Sequence, residues 1–209
     1  MSLVRPLALL AFLAAPLAGQ DLERPEGWKV RFDRPGSSEA DLEMFVSMPP
    51  GWHITTGPAA IFWDPSVEAS ETYRVEMEVY LFDPEGRREA FGVFLGGRDL
   101  EGPDQAYTYF LIRDGGEFLI KRRQGQDTPT LQGWTAHPAV RSFADRGDDA
   151  SVKNVLAVEV DGEDVRFSVN GDEVATLPRS EVDTDGTVGI RVNHRLNLHV
   201  SRLDVTPTR

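Results

Sequence analysis

Two acids, Glu76 and Glu78, stand two residues apart in the segment TYRVEMEVYLF, Thr72–Phe82. On a strand, residues i and i+2 share a face and lie about 6.6 Å apart along the backbone. Glycoside hydrolysis uses two carboxyl groups roughly 5 to 10 Å apart, one as acid and one as base or nucleophile. That spacing makes Glu76 and Glu78 the candidate catalytic pair. The same two residues also read as the wet face of a strand, with Arg74 and the basic run Lys121-Arg122-Arg123 as counter-charges.

A second set of residues suits binding rather than catalysis: Tyr107, Tyr109, Arg113, Trp134, Arg191 and Asn193. If Phe110, Ile112, Phe118 and Ile120 face a core, then Tyr107, Tyr109 and Arg113 share the opposite face with Lys121 and Arg123. By the same alternation Val188, Ile190 and Val192 point inward, and Arg191 and Asn193 point outward. Aromatic rings stack on the apolar faces of sugars, while guanidinium and amide groups bond hydroxyls. The competing reading is cross-strand pairing that only stabilises a solvated sheet. Trp134 lies in a long stretch without regular pattern, Gln124–Ala150, where it either walls the sheet surface or anchors its own loop.

Other chemistries find little support. The chain has no cysteine, which excludes thiol nucleophiles, cysteine-ligated zinc and iron–sulfur clusters. Its four histidines, His53, His137, His194 and His199, show no metal-ligand spacing, and no Gly-x-Ser-x-Gly elbow occurs. No catalytic metal and no organic cofactor are expected. Acidic turns at Asp145–Asp149, Asp161–Asp164 and Asp183–Asp185 carry the oxygen ligands a structural calcium would use, but hairpin turns collect Asp and Gly in any case.

The elements that must position these residues are strands. From Tyr73 onward, short alternating segments are separated by glycine turns, and no segment has a helical period. In Thr72–Phe82, Tyr73, Val75, Met77, Val79 and Leu81 form one face. Asp114-Gly115-Gly116 joins Tyr107–Arg113 to Glu117–Arg123, Asp161-Gly162 leads from Lys153–Val160 into Val165–Val169, and Asn170-Gly171 leads into Glu173–Thr176. These steps supply the positive φ that tight hairpins need. Phe91–Leu95 is expected to end at Gly96-Gly97, and a strand at Ala60–Trp63 to close at Asp64-Pro65. Gly186–Asn193 and Leu196–Val205 complete the set.

The stretches Phe91–Gly97 and Tyr109–Phe118, with Val165–Gly171 followed by Gly186–Arg191, resemble the concanavalin A-like lectin/glucanase superfamily, the laminin-G-type jelly roll. The likeness runs from about Gly51 to Val205. It implies an all-β, two-sheet antiparallel β-sandwich. It implies no single activity, because that superfamily includes lectins, adhesion modules, glycosidases and lyases. The Glu-x-Asp-x-x-Glu strand of its glucanase branch is matched here only by Glu181-Val182-Asp183-Thr184-Asp185, which runs straight into Gly186.

Arg5, the apolar run Leu7–Leu17 and the small residues Ala18-Gly19 form a signal peptide, residues 1–19, too short in its apolar part to span a bilayer. Residues 20–50 are then an arm with edge strands, and 51–209 the sandwich domain. The net charge of −12 becomes −13 once Arg5 leaves with the leader, which disfavours nucleic acid and anionic membranes. The expectation is a secreted or periplasmic protein with no membrane span in its mature form. Its first function is non-catalytic carbohydrate binding or adhesion, with a glycan or polysaccharide as partner. The alternatives are a glycoside hydrolase using Glu76 and Glu78, and a structural domain whose partner is another protein.

Overall fold

A computed structural model describes residues 23–208, and the expected leader at 1–19 lies outside them. Strands are labelled in chain order. The first sheet runs β1 (Lys29–Phe32), β4 (Ala60–Ala69), β13 (Gly186–Val192), β6 (Ala90–Arg98), β7 (Ala106–Arg113), β8 (Glu117–Gln124) and β9 (Thr130–Ala136). The second runs β12 (Asp172–Pro178), β11 (Asp164–Val169), β10 (Ser151–Asp161), β5 (Tyr73–Phe82), β14 (Asn197–Pro207), β3 (Trp52–Thr55) and β2 (Met44–Ser47). Neighbouring strands are antiparallel throughout both sheets. This is the all-β sandwich that the alternation implies. Among the described residues no helix is long and apolar enough to cross a membrane.

The core follows from parity. Along β5 every odd residue from Tyr73 to Leu81 is buried and every even one is partly exposed. Phe62, Phe91, Val93, Phe110, Ile112, Phe118, Val188 and Ile190 meet them from the first sheet. The rings interlock edge to face: Phe110 on β7 lies 5.3 Å from Phe167 on β11, and Phe45 on β2 lies 4.9 Å from Phe62 on β4. A buried aromatic of this kind contributes about 2 to 3 kcal/mol by removing its surface from water.

Three expectations need correction. Strand β4 does not close at Asp64-Pro65 but continues to Ala69. Its pairing with β13 jumps from Trp63 to Glu68, so Pro65 falls where no ladder hydrogen bond is required of it. Strand β6 does not end at Gly96-Gly97 but runs to Arg98 through a bulge, with Gly96 at φ 65° supplying the extra residue. Within Gln124–Ala150, expected to be irregular, Thr130–Ala136 forms the edge strand β9 against β8. Its register slips twice, and a segment without clean alternation is held there by its neighbour rather than by its own pattern.

Candidate functional site

The outer face of the first sheet carries the residues that parity selected for binding. Tyr107, Tyr109, Leu111 and Arg113 project from β7, opposite Arg123, Lys121, Leu119 and Glu117 of β8. On the other side Tyr109 pairs with Phe94 of β6, and Leu111 with Gly92, which in turn pairs with Arg191 of β13. The expectation that these rings and Arg191 lie open to solvent is corrected. Ile61, Trp63, Phe94, Leu100, Tyr107, Tyr109 and Leu111 form a second apolar cluster on this face. Tyr107 is 1% exposed, Tyr109 5% and Arg191 7%. They form the floor of the face and support what lies above it.

Arg191 is the polar centre of that floor. Its Nη1 and Nη2 donate to Asp33 Oδ1 and Oδ2 at 3.0 and 2.5 Å, a bidentate pair with the turn that follows β1. Nη1 also donates to the Tyr107 hydroxyl at 3.2 Å, and the guanidinium carbon sits 4.9 Å over the Tyr109 ring. Burial alone would push the Asp33 carboxyl up. The hydrogen bonds and charge of Arg191, with the charges of Arg123 and His194, outweigh it and hold the carboxyl below its ordinary range. Burial pushes the phenols of Tyr107 and Tyr109 up, so both stay protonated at neutral pH. Two atoms here are sealed from water with no partner, Arg191 Nε and Asn193 Oδ1.

Trp134 is different. On edge strand β9 its side chain is 38% exposed. One face of the indole is held by the Arg113 guanidinium, 3.9 Å from the ring centroid. Arg113 is held in turn by Glu117, to which its Nε donates at 2.8 Å, and Glu117 also takes a hydrogen bond from Arg88. The result is a fixed aromatic shelf beside the closed floor, with one face of the ring committed to Arg113. Sequence alternation could not place it, because Trp134 belongs to a strand defined only by its neighbour.

Glu76 and Glu78 lie on the outer face of the other sheet. Glu76 is bracketed by Arg74 at 2.8 Å and by Arg202. Glu78 accepts from the Ser201 hydroxyl at 2.8 Å, from Lys153 at 3.3 Å and from the Tyr80 hydroxyl at 3.1 Å. The Ser201 bond first, then Lys153 and Tyr80, hold the Glu78 carboxyl below its usual range. A general acid needs the opposite shift, because it must keep its proton near neutral pH. Replacing either acid by Gln is expected to change stability by less than about 1 kcal/mol, as exposed ion pairs do. Thermal melting checks this, and a large loss would mean the pair is structural.

Among the described residues no group of three or more His, Cys, Asp or Glu is arranged to hold a metal ion. Of the acidic turns, Asp183 is buried and accepts from Arg98 and Arg122 at 2.8 and 3.0 Å, and Asp161 accepts from Arg166 at 2.9 Å. Asp145 accepts from the backbone N–H of Ser142 at 2.7 Å. His53 and His199 face each other across β3 and β14 with ring centroids 6.1 Å apart.

No family model and no curated protein matches the sequence. Solved structures do match the fold. The carbohydrate-binding module CBM66 from Bacillus subtilis superposes with a TM-score of 0.62 at 11% identity, over 86% of this chain and 95% of that one. A GH16 of the Bacteroides ovatus mixed-linkage glucan PUL, in complex with a G4G4G3G product, gives 0.61 at 8% identity over 88% and 97%. Sheep galectin-11, in complex with glycerol, gives 0.50 at 14% identity over 76% and 99%. The chain therefore has the concanavalin A-like jelly-roll sandwich, a fold that serves both sugar-binding proteins and glycoside hydrolases.

Proposed function

We propose that the protein is an exported, non-catalytic glycan-binding module whose ligand lies on the outer face of the first sheet. The observation that carries this reading is the exposed indole of Trp134, clamped on one side by Arg113. A rigid aromatic ring loses little entropy when a pyranose stacks on it, and Arg113 against it, with Lys121 further along the same face, offers donors to hydroxyls. Tyr107, Tyr109 and Arg191 take the role of a closed floor on the same face, while Arg113 and Glu117 hold the shelf in place. The carbohydrate-binding and galectin folds among the structural matches agree with this reading.

The alternatives fit less well. A hydrolase built on Glu76 and Glu78 would need a proton donor, and Glu78 is held ionised by its partners. A protein-docking face would show a broad apolar patch. Among the described residues the exposed large apolar side chains are Met44 and Trp134, and these sit on opposite sheets. The test is a glycan array followed by titration of the bound sugar. Trp134→Ala should weaken binding by about 2 kcal/mol, roughly 30-fold, as loss of an aromatic anchor does. Unchanged affinity in a folded Trp134→Ala protein would remove this face from the reading.

A further inference from the structure

A cavity of about 510 Å³ opens at the end of the same face, between the arm and the turns that flank β7 and β8. Arg31, Asp33, Pro103, Gln105, Arg123 and Gln126 are among its walls. Arg31 Nη1 donates to the carbonyl oxygens of Leu100 at 2.7 Å and Gly102 at 2.5 Å. Arg123 Nε donates to the Gly125 carbonyl at 2.6 Å. With the Gln105 amide turned to accept, the Nη2 atoms of both arginines lie 3.2 Å from its oxygen. All of these partners are neutral.

Positive charge is therefore in excess here, although Arg123 also acts at a distance on the Asp33 carboxylate. Among the described residues neither Arg31 nor Arg123 forms an ion pair, whereas Arg24, Arg74, Arg88, Arg113, Arg166 and Arg202 each do. The one carboxylate in the cavity wall, Asp33, is engaged by both guanidinium nitrogens of Arg191. Three guanidinium groups thus face a single acid, in a chain whose net charge is −12. Donors are also left over. A guanidinium has five N–H groups, and the bonds just named use three on Arg31 and two on Arg123. Behind them Arg191 Nε is buried with no acceptor at all.

We infer that this cavity takes an oxyanion carried on a sugar, so that the module selects acidic glycans bearing a carboxylate or a sulfate ester. The inference rests on the glycan-binding reading above and names the class of its ligand. Planar guanidinium forks fixed by carbonyl groups match a carboxylate or sulfate in two-point fashion. Because the molecule as a whole repels anions, only a ligand that reaches these arginines directly gains from its charge.

The experiment titrates the intact mature protein with oligogalacturonate, alginate and chondroitin sulfate oligosaccharides. Each is run beside its carboxyl-reduced or desulfated counterpart, at physiological salt. At least one acidic probe should bind at least ten-fold tighter than its neutral counterpart, and which probe does so separates carboxylate from sulfate. The double variant Arg31→Gln/Arg123→Gln should erase that preference while leaving the neutral counterpart's affinity unchanged. Arg123→Lys, which keeps the charge but loses the fork, gives the same readout in case the double variant does not fold, with an intermediate preference. Equal or tighter binding of the neutral counterparts would overturn the acidic class and leave the glycan-binding reading standing. No binding to any acidic or neutral sugar by the folded protein would overturn both.

Discussion

Gly92→Ala should lower stability by about 3 kcal/mol or more, the cost of forcing a group into space already filled by rigid neighbours. A Cβ built on Gly92 would stand 2.1 Å from the Phe110 carbonyl oxygen and 3.0 Å from the Leu111 Cα. Both are backbone atoms of β7, so no rotamer change relieves the contact. Strands β6 and β7 would have to separate at the middle of the first sheet, directly beneath the site. For a domain of this size the melting temperature should fall by roughly 6 to 12 °C. Gly133→Ala is the control, since nothing lies within 4 Å of its added Cβ. Equal melting temperatures for the two variants would show that the strands can part at little cost.

Asp33→Ala should cost about 2 to 3 kcal/mol, because it leaves the guanidinium of Arg191 buried without its counter-charge. The value sits at the lower end for a broken ion pair since the Asp33 side chain is 32% exposed and water can partly replace it. The effect is linked to pH. The Asp33 carboxyl is held below its ordinary value of 3.8, so its contribution is complete above that value and is lost as pH falls through the folded one. Wild type and Asp33→Ala should therefore differ most from pH 5 to pH 7 and converge as the solution is acidified below about pH 4. Thermal melting across that range measures it. A constant gap down to pH 2 would mean that the carboxylate charge plays no part. The variant should also free the arm, and faster amide exchange at Lys29–Phe32 would show it.

Much of the architecture was legible in the residues themselves. The alternation in β5 matches its burial residue for residue, and the Asp-Gly-Gly and Asn-Gly steps fall at the hairpins that join β7 to β8 and β11 to β12. The failures have local causes. Gly96-Gly97 and Asp64-Pro65 look like strand ends, but a bulge absorbs the first and a gap in the ladder tolerates the second. Strand β9 lacked a pattern because an edge strand is required to satisfy only one neighbour.

The candidate site was half legible. Parity put Tyr107, Tyr109, Arg113 and Arg191 on one face, as the register has them. Arg31, Asp33 and Gln105 were missed: the arm's short strand bears no mark of the sheet edge it joins, and Gln105 lies in the turn just before β7, where alternation says nothing.

What the amino-acid order determined alone is orientation: side-chain direction in a strand repeats every two residues, so near neighbours in the chain decide which face each residue takes. Exposure came from the fold. Whether an outward residue meets water depends on segments brought over it from elsewhere, and Arg191 meets Asp33 from 158 positions away. A two-residue period carries no information over that distance, so only the assembled sheets could distinguish the closed floor of tyrosines from the open ring of Trp134.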